Sequence, residues 1–323
     1  MAANFFEIME RLDRRWIYLT VFVALSIPFF IPIPLRIEVM PECKDLHERI
    51  EEIKQQNEKD PDNAKIVLIS ISWSANVQAE CWPQHEAIAE HCLQIGVPFA
   101  AFSFISPEGP QFGEYVLDSI KRRWEGIKDE DFNSDDEELR EKLAPLKRRY
   151  DRMGKNWREI QYGVEYVNWG YKYMDLAALM TMISDLYGIF PEDYKGAPLQ
   201  DFPMMKQVKG FVDCALIVEI TGSGTLLTWV MYVTPQSGSD LAFACTGVMA
   251  PEAYPYFKSK QIIGLLSGMD GAAQYEKLVG IKARGRKGME SQNLAHLWVI
   301  LMVILGNLSF LYKRKKDRDD SKK

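Results

Sequence analysis

The sequence lacks the short motifs that mark most catalytic and nucleotide-binding sites. Neither GxGxxG nor GxxxxGK[ST] occurs, and no GxSxG stretch is present to carry a nucleophilic serine. Only four histidines occur, and the acidic residues show no paired spacing that would indicate general acid–base chemistry. These absences indicate no reaction and no cofactor, and they favour a role other than catalysis.

A cationic surface is also lacking. The 323-residue chain carries 39 Lys and Arg against 45 Asp and Glu, which gives a formal net charge of -6. Binding to a phosphate backbone needs a cationic face, because neutralising phosphates is the main source of affinity. We therefore predict that nucleic acid is not a partner of this protein.

Cysteine is scarce, and its spacing is uninformative. The five cysteines form no CxxC pair and no even-numbered framework of disulfides. Buried thiols are the simplest interpretation, while a pairing of Cys81 with Cys92 or Cys43 stays open for an exported domain. His85 and His91 lie near these cysteines, but their spacings match no common zinc pattern. The sequence therefore predicts no metal site.

Long apolar runs are present near both ends of the chain. Residues 16–35 and 294–311 each approach the ~20 residues that cross a hydrocarbon core of about 30 Å. Arginines precede the first run, but no small-residue cleavage site follows it, so we expect a retained transmembrane helix rather than a cleaved signal peptide. Pro28, Pro32 and Pro34 predict that this helix kinks or ends near its far side.

Two spans place both termini on the same side of a membrane. The KRKK stretch directly after the second span favours cytoplasmic termini and a central domain outside the cytoplasm. The opposite orientation stays open, because the positive-inside rule is weak for a long translocated domain. The predicted division is an N-terminal cytoplasmic segment 1–15, a first span 16–35, a helical linker 36–62, an α/β domain 63–280, a basic juxtamembrane segment 281–293, a second span 294–311 and a basic cytoplasmic tail 312–323.

Between the spans, apolar stretches alternate with helical patterns. Five stretches are typical of buried strands: 65–73, 98–105, 164–171, 213–221 and 240–249. Nearly continuous apolar strands separated by helices are what a parallel sheet covered on both faces requires. The predicted fold is a doubly wound α/β domain with a mostly parallel sheet of about five strands, flanked by an N-terminal and a C-terminal transmembrane helix.

Ligands of such folds bind at the carboxyl ends of the strands, where loops lead into helices. This rule selects polar and glycine residues that follow the predicted strands: Ser74, Asn76, Asn168, Thr221, Gly222, Ser223, Gly224 and Thr246. The TGSGT stretch at 221–225 is the most suggestive, because glycines let backbone N–H groups approach an anion at a helix start. A tight strand-to-helix turn also uses glycine, so a purely structural role stays open.

Residues 251–280 are aromatic, amphipathic and interrupted by glycines. Their pattern fits two helices that cover the sheet, and it also fits a docking surface, because small residues allow close approach of backbones. Basic residues follow within 281–293, where attraction to anionic headgroups would anchor the chain at the bilayer surface.

The second span carries two polar side chains within its apolar run. His296 and Asn307 are eleven residues apart, close to three helical turns, so they share one face with Val303. Polar side chains at membrane depth turn toward protein, and Gly306 beside Asn307 permits close contact between helices. We expect this face to meet another helix, which is either the first span, through its hydroxyl side chains, or a separate subunit.

Two hypotheses on function follow from these patterns. The first is a membrane-tethered, non-catalytic α/β module that scaffolds or senses within a larger membrane assembly. The alternative is a membrane-anchored enzyme or small-ligand receptor that uses the carboxyl edge of the sheet around TGSGT. The lack of nucleophile, metal and nucleotide motifs favours the first. Its expected partners are the lipid bilayer and either other membrane-protein subunits or further copies of this chain.

Overall fold

The computed structural model describes residues 13–31 and 36–320. These residues form two units: an α/β unit of residues 37–286, and a unit of apolar helices that precede and follow it in sequence. All the residues predicted to bind a ligand belong to the α/β unit, and the polar face predicted on the second span belongs to the apolar unit.

The α/β unit is built on one parallel sheet. Its six strands are β1 (Ile66–Ser72), β2 (Phe99–Ser103), β3 (Tyr166–Tyr171), β4 (Cys214–Thr221), β5 (Asp240–Cys245) and β6 (Gly264–Ser267). Every neighbouring pair runs parallel, and the order across the sheet is β3-β2-β1-β4-β5-β6. The order reverses between β1 and β4, which makes that position the topological switch point of the sheet.

The helices follow the strands in alternation. In chain order they are α1 (Arg14–Phe30), α2 (Pro41–Lys59), α3 (Gln78–Ile95), α4 (Gly109–Glu125), α5 (Glu137–Met153), α6 (Leu176–Thr181), α7 (Leu186–Ile189), α8 (Leu226–Thr228), α9 (Thr234–Ser237), α10 (Ala250–Lys258), α11 (Gly268–Val279) and α12 (Arg284–Asp320). A π-helical turn, Trp229–Val233, joins α8 to α9. Helices α2 to α5 and α11 pack on one face of the sheet, and α6 to α10 with their loops pack on the other.

Strand β1 shows why the sheet needs two cores. All seven of its residues are buried. Val67 and Ile69 enter the core under α2 to α5, whereas Ile66 and Leu68 enter the opposite core. A strand that is covered on both sides loses the alternation of polar and apolar residues, as the sequence predicted. Ser70 is a polar exception among these buried residues. Its hydroxyl lies near the carboxyl end of the strand, 3.3 Å from the hydroxyl of Ser72.

Helix α2 belongs to the core rather than to a linker. Residues 36–62 were predicted to link the first span to the domain, but Leu46, Ile50 and Ile53 are fully enclosed. Their spacing of three and four residues forms one apolar stripe, which is the pattern of a helix that packs against a sheet. The Cys43 thiol also reaches the carbonyl of Leu265 in β6, at 3.6 Å.

The sheet has one strand more than the sequence predicted. Residues 251–280 form α10, β6 and α11 rather than two helices. The apolar part of β6 is so short that periodicity cannot separate strand from helix. The glycines serve packing inside this unit: a Cβ on Gly264 would lie 2.6 Å from Leu46 Cβ, and one on Gly271 would lie 2.8 Å from the Leu266 carbonyl carbon.

The apolar unit contains one helix that is long and apolar enough to cross a membrane. It is the Arg284–Lys315 part of α12, and 6% of its apolar window is buried. The apolar part of α1, Arg15–Pro28, is shorter. Helix α1 continues through Pro28 and ends at Phe30, before the predicted end of the first span at residue 35. Pro32 and Pro34 lie outside the described residues.

Candidate functional site at the carboxyl edge of the sheet

The predicted ligand residues meet where β1 and β4 end. Ser74 and Asn76 follow β1, and the TGSGT turn follows β4. The two strands are neighbours at the switch point, and the Thr221 hydroxyl donates a hydrogen bond to the Ser72 carbonyl at 3.1 Å. Crevices at switch points are where open α/β sheets bind ligands, and ligand binding by these residues stays a prediction.

Thr246 lies beside the TGSGT turn, whereas Asn168 lies in another part of the sheet. The Thr246 N–H donates to the Thr221 carbonyl at 3.3 Å, which joins the loop after β5 to the TGSGT turn. Asn168 lies inside β3 rather than after it, and β3 is the outermost strand on its side. Its amide donates to the Pro110 carbonyl and to Glu114, at 2.9 and 3.1 Å. The structure thus holds Asn168 away from the switch point, in a network that links β3 to α4.

The TGSGT turn is closed by its own side chains. The Ser223 N–H donates to Thr221 Oγ1 at 2.9 Å, and the two hydroxyl oxygens are also 2.9 Å apart. Neither glycine adopts a left-handed backbone conformation. A Cβ on Gly222 would lie 2.8 Å from Val77 Cγ1, while a Cβ on Gly224 would meet nothing within 4 Å. Gly222 is therefore required by packing, and Gly224 faces open space.

A buried carboxyl group lies beneath this turn. Glu219 in β4 is fully enclosed and pairs in register with Ser70. Its Oε1 accepts a hydrogen bond from the Thr225 hydroxyl at 2.6 Å, whereas its Oε2 has no hydrogen-bond partner. Burial raises the pKa of Glu219 to about 7, although the hydroxyls of Ser70 and Thr225 favour its charged form. This group changes charge near neutral pH without direct contact with solvent.

The surrounding polar groups are largely satisfied by each other. Ser70 and Ser72 hydroxyl oxygens lie 3.3 Å apart, and the Ser74 hydroxyl donates to Asn76. Hydroxyls engaged in this way position a turn and a carboxyl group, but they are not arranged as a nucleophile with its base. Ser70 and Ser72 were not selected from the sequence, although their alternation with isoleucines in an apolar strand is the signal that one face is polar there.

Exposed apolar side chains surround the same edge. Five of them follow the strands and form what we name the apolar rim: Ile105 after β2, Tyr173 after β3, Leu227 and Met231 after β4, and Val248 after β5. Val248 is 86% exposed and Tyr173 is 81% exposed. The strand order distributes them along the edge on both sides of the switch point. Sequence reasoning missed the rim because it considered only polar residues and glycine.

The polar face of α12 is exposed within the apolar unit. His296, Val303 and Asn307 are accessible, and a Cβ on Gly306 would meet nothing within 4 Å. The Asn307 amide donates to the Val303 carbonyl of its own helix, at 2.8 Å. The Asn307 amide is thus bonded within its own helix, and a partner helix for this face stays a prediction.

Helix α1 contacts a different side chain of α12. The Trp298 indole N–H donates to Thr20 Oγ1 at 3.2 Å. The Ser26 hydroxyl donates to the Phe22 carbonyl in its own helix, at 2.8 Å. This hydrogen bond between the two apolar helices thus involves Trp298 rather than Asn307.

Comparisons with known proteins identify no relative. No protein-family model matches the chain, no curated protein matches it and no solved structure matches it. A doubly wound sheet hosts many unrelated activities, so strand order alone implies none. The function is therefore inferred from the side chains.

Proposed function

We propose that this protein is a membrane-tethered, non-catalytic module that holds a partner protein at the carboxyl edge of its sheet, as a scaffold or sensor subunit of a larger membrane assembly. The apolar rim is the observation that carries this proposal. Exposed apolar surface that exceeds scattered single residues marks interaction sites, and the strand order brings the segments that carry these five side chains to one edge of the sheet. Tyrosine and methionine, which occur in the rim, are enriched at protein–protein interfaces.

The polar groups at the switch point also support docking rather than catalysis. The Thr221 and Ser223 hydroxyls bond to each other, and Thr225 is engaged with Glu219. Glu219 itself is closed off from solvent. A partner protein needs an accessible apolar surface with a few polar groups at its border, and this edge provides both.

Helix α12 is long and apolar enough to cross a membrane. We propose that α1 is a second span beside α12, so that both termini are cytoplasmic and the α/β unit is extracytoplasmic. The basic KRKK stretch after residue 312 supports this orientation. Cysteines placed singly on exposed positions of the α/β unit should react with an impermeant maleimide in intact cells. Reaction only after the cells are lysed would contradict the orientation.

The docking edge can be tested with two valines on opposite edges of the sheet. Val248 follows β5 at the carboxyl edge, and Val164 precedes β3 at the other edge with 45% of its surface exposed. A photo-cross-linking amino acid at position 248 should give one discrete higher-mass adduct in native membranes. The same amino acid at position 164 should give none.

Charge substitutions at the same valines complete the test. Val248→Asp should reduce the amount of intact assembly purified in mild detergent, because a charge buried in an apolar interface must be desolvated. Val164→Asp should leave it unchanged, while both variants keep the melting temperature of the original chain. Equal behaviour of the two variants would contradict a docking role for this edge.

A second candidate function is a small-ligand receptor at the TGSGT turn. The location of this turn at the switch point favours it, and Gly224 leaves open space above the backbone. Inorganic phosphate or a phosphorylated sugar should then raise the melting temperature of the protein, and Gly224→Val should remove that increase. If a screen of such anions produces no increase in the original chain, only the docking function stands.

A further inference from the structure

A second polar cluster lies between α2 and α3, away from the sheet edge. His47 and Glu51 are four residues apart on α2, which places their side chains on one face of the helix. His91 reaches this face from α3. One ligand atom from each of the three side chains lies within 4.8 Å of the other two. We name these three residues the α2–α3 cluster.

His91 is held as a fixed anchor of the cluster. Its side chain is almost completely buried, and its Nδ1 lies 2.9 Å from the Tyr275 hydroxyl. Its Nε2 has no hydrogen-bond partner and points toward Glu51, 3.6 Å from Oε1. When Nδ1–H donates to the Tyr275 oxygen, Nε2 presents its lone pair to the cluster. A hydrogen bond from the other ring nitrogen is what orients most metal-binding histidines.

A cavity adjoins the three side chains. It has a volume of about 230 Å³, and its walls include His47, Glu51, His91 and Gln94. The Gln94 side chain is buried, and its Nε2 is a second polar atom in this wall without a hydrogen-bond partner. A water molecule occupies about 30 Å³ in the liquid, so the cavity has room for an ion with several waters. Buried polar atoms without partners are rare in native proteins, and two of them line this cavity.

The donor set determines which ion fits. Two imidazole nitrogens and one carboxylate suit zinc and related transition metals, whereas calcium and magnesium prefer oxygen ligands alone. Metal binding uses neutral imidazoles and an ionised carboxylate, which these residue types supply.

We propose that His47, Glu51 and His91 form a binding site for a divalent transition metal of the zinc class. Three protein ligands leave a fourth position for water or another ligand, as in open zinc sites. The Gln94 side chain lines the same cavity and adds a polar group to its wall. This inference does not depend on the docking function, because the cluster and the apolar rim share no residue.

Metal binding in the α2–α3 cluster requires shorter distances between the ligand atoms and displacement of Arg148 from Glu51. Ligand atoms of a tetrahedral zinc site are roughly 3.3 Å apart, from bond lengths of about 2.0–2.1 Å, so the three groups must move closer together. His47 and Glu51 are partly exposed, whereas His91 is buried, so the two α2 side chains have more room to move. Arg148 donates to both Glu51 oxygens, at 2.7 and 3.0 Å, and competes with the ion for that carboxylate.

A purely structural reading of the same contacts predicts no metal affinity. The imidazole rings of His47 and His91 are stacked, with centroids 4.3 Å apart and planes inclined by 7°. The stacked rings join α2 to α3, and the pair between Glu51 and Arg148 joins α2 to α5. Measured metal binding separates this reading from the proposal.

The test uses the full chain in detergent micelles, purified without a polyhistidine tag and freed of metal with a chelator. Zn²⁺ is titrated in competition with a chromophoric chelator. We expect one zinc ion per chain, and Co²⁺ in its place should give the visible absorption bands of a four-coordinate site. Failure to bind zinc in the micromolar range, or binding by the variants below with unchanged affinity, would overturn the proposal.

The variants leave the buried anchor intact so that folding is preserved. His47→Ala and Glu51→Gln should each weaken zinc binding by about ten-fold or more, in line with the loss of a ligand. Glu48→Gln, on the same helix and exposed, is the matched control and should leave the affinity unchanged. Arg148→Gln should strengthen binding by roughly three- to five-fold, because it removes one competing positive charge.

Discussion

Arg149 and Glu165 form a two-point ion pair inside the α/β unit. Arg149 Nη1 lies 2.7 Å from Glu165 Oε1, and Nη2 lies 2.9 Å from Oε2, while the arginine is fully enclosed. The same guanidinium donates to the carbonyls of Leu93 and Trp157 and lies over the ring of Trp124. It therefore joins α3, α4, α5 and the segment before β3 at one point.

Removal of this guanidinium should destabilise the protein strongly. Arg149→Met removes the two-point pair, which leaves Glu165 only its 3.3 Å contact with Arg152, and it removes the arginine donor to the buried Trp157 carbonyl. We expect the free energy of unfolding to fall by about 3–5 kcal/mol, the usual cost of breaking a buried pair. Lys147→Met breaks an exposed pair with Asp151 on the same helix and should cost less than about 1 kcal/mol. Urea titration of both variants measures the difference, and similar losses would contradict the structural role of Arg149.

The two glycines of the TGSGT turn should respond differently to substitution. Gly222→Val places new atoms against Val77, and overpacking of this kind costs typically about 1–3 kcal/mol. Gly224→Val enters open space and should change the free energy of unfolding by less than about 0.5 kcal/mol. Thermal unfolding of the two variants provides the comparison. A larger loss at position 224 would show that the turn has a different conformation.

Stability should fall as the pH rises through the weakly acidic range because of Glu219. Its pKa is raised by burial from 4.5 to about 7 in the folded state. Between those values the folded chain retains a proton that the unfolded chain has lost, so this contribution is complete below pH 4.5 and decreases up to about pH 7. The slope approaches about 1.4 kcal/mol per pH unit.

Glu219→Gln isolates this effect, because glutamine retains an acceptor for the Thr225 hydroxyl but does not titrate. Chemical unfolding at several pH values should show a shallower decrease in stability for the variant than for the original chain. A second group, Glu276, remains in both proteins, and burial raises its pKa to about 7 as well. Identical pH profiles would exclude Glu219 as a source of the slope.

The exposed face of α12 should contribute to assembly in the membrane. Asn307→Leu removes a polar group from this face, and hydrogen bonds between membrane helices average about 0.6 kcal/mol. We therefore expect roughly a three-fold weaker association of the chain with its partner, measured by energy transfer between labelled proteins in vesicles. Leu301→Val changes an exposed residue on another side of the helix and should have no effect. Equal association of both variants would indicate that this face meets lipid only.

Much of the local structure could be predicted from the sequence. The first five strands and the alternation with helices followed from apolar runs, because burial on both faces of a parallel sheet requires such runs. The long apolar part of α12 followed from the length of a hydrophobic stretch. These properties depend on neighbouring residues in the chain, so they can be read without knowledge of the fold.

The tertiary structure alone decided which distant residues meet. Strand order placed the ends of β1 and β4 side by side and distributed the apolar rim along the same edge. His47 lies on α2 and His91 lies on α3. The sequence predicted no metal site, because the spacing of His85 and His91 from the cysteines matches no zinc pattern. Helix α2 and strand β6 pack together, although strands β1 to β5 lie between them along the chain. Side-chain contacts between remote segments are determined by the packing of whole layers, and no local pattern encodes them.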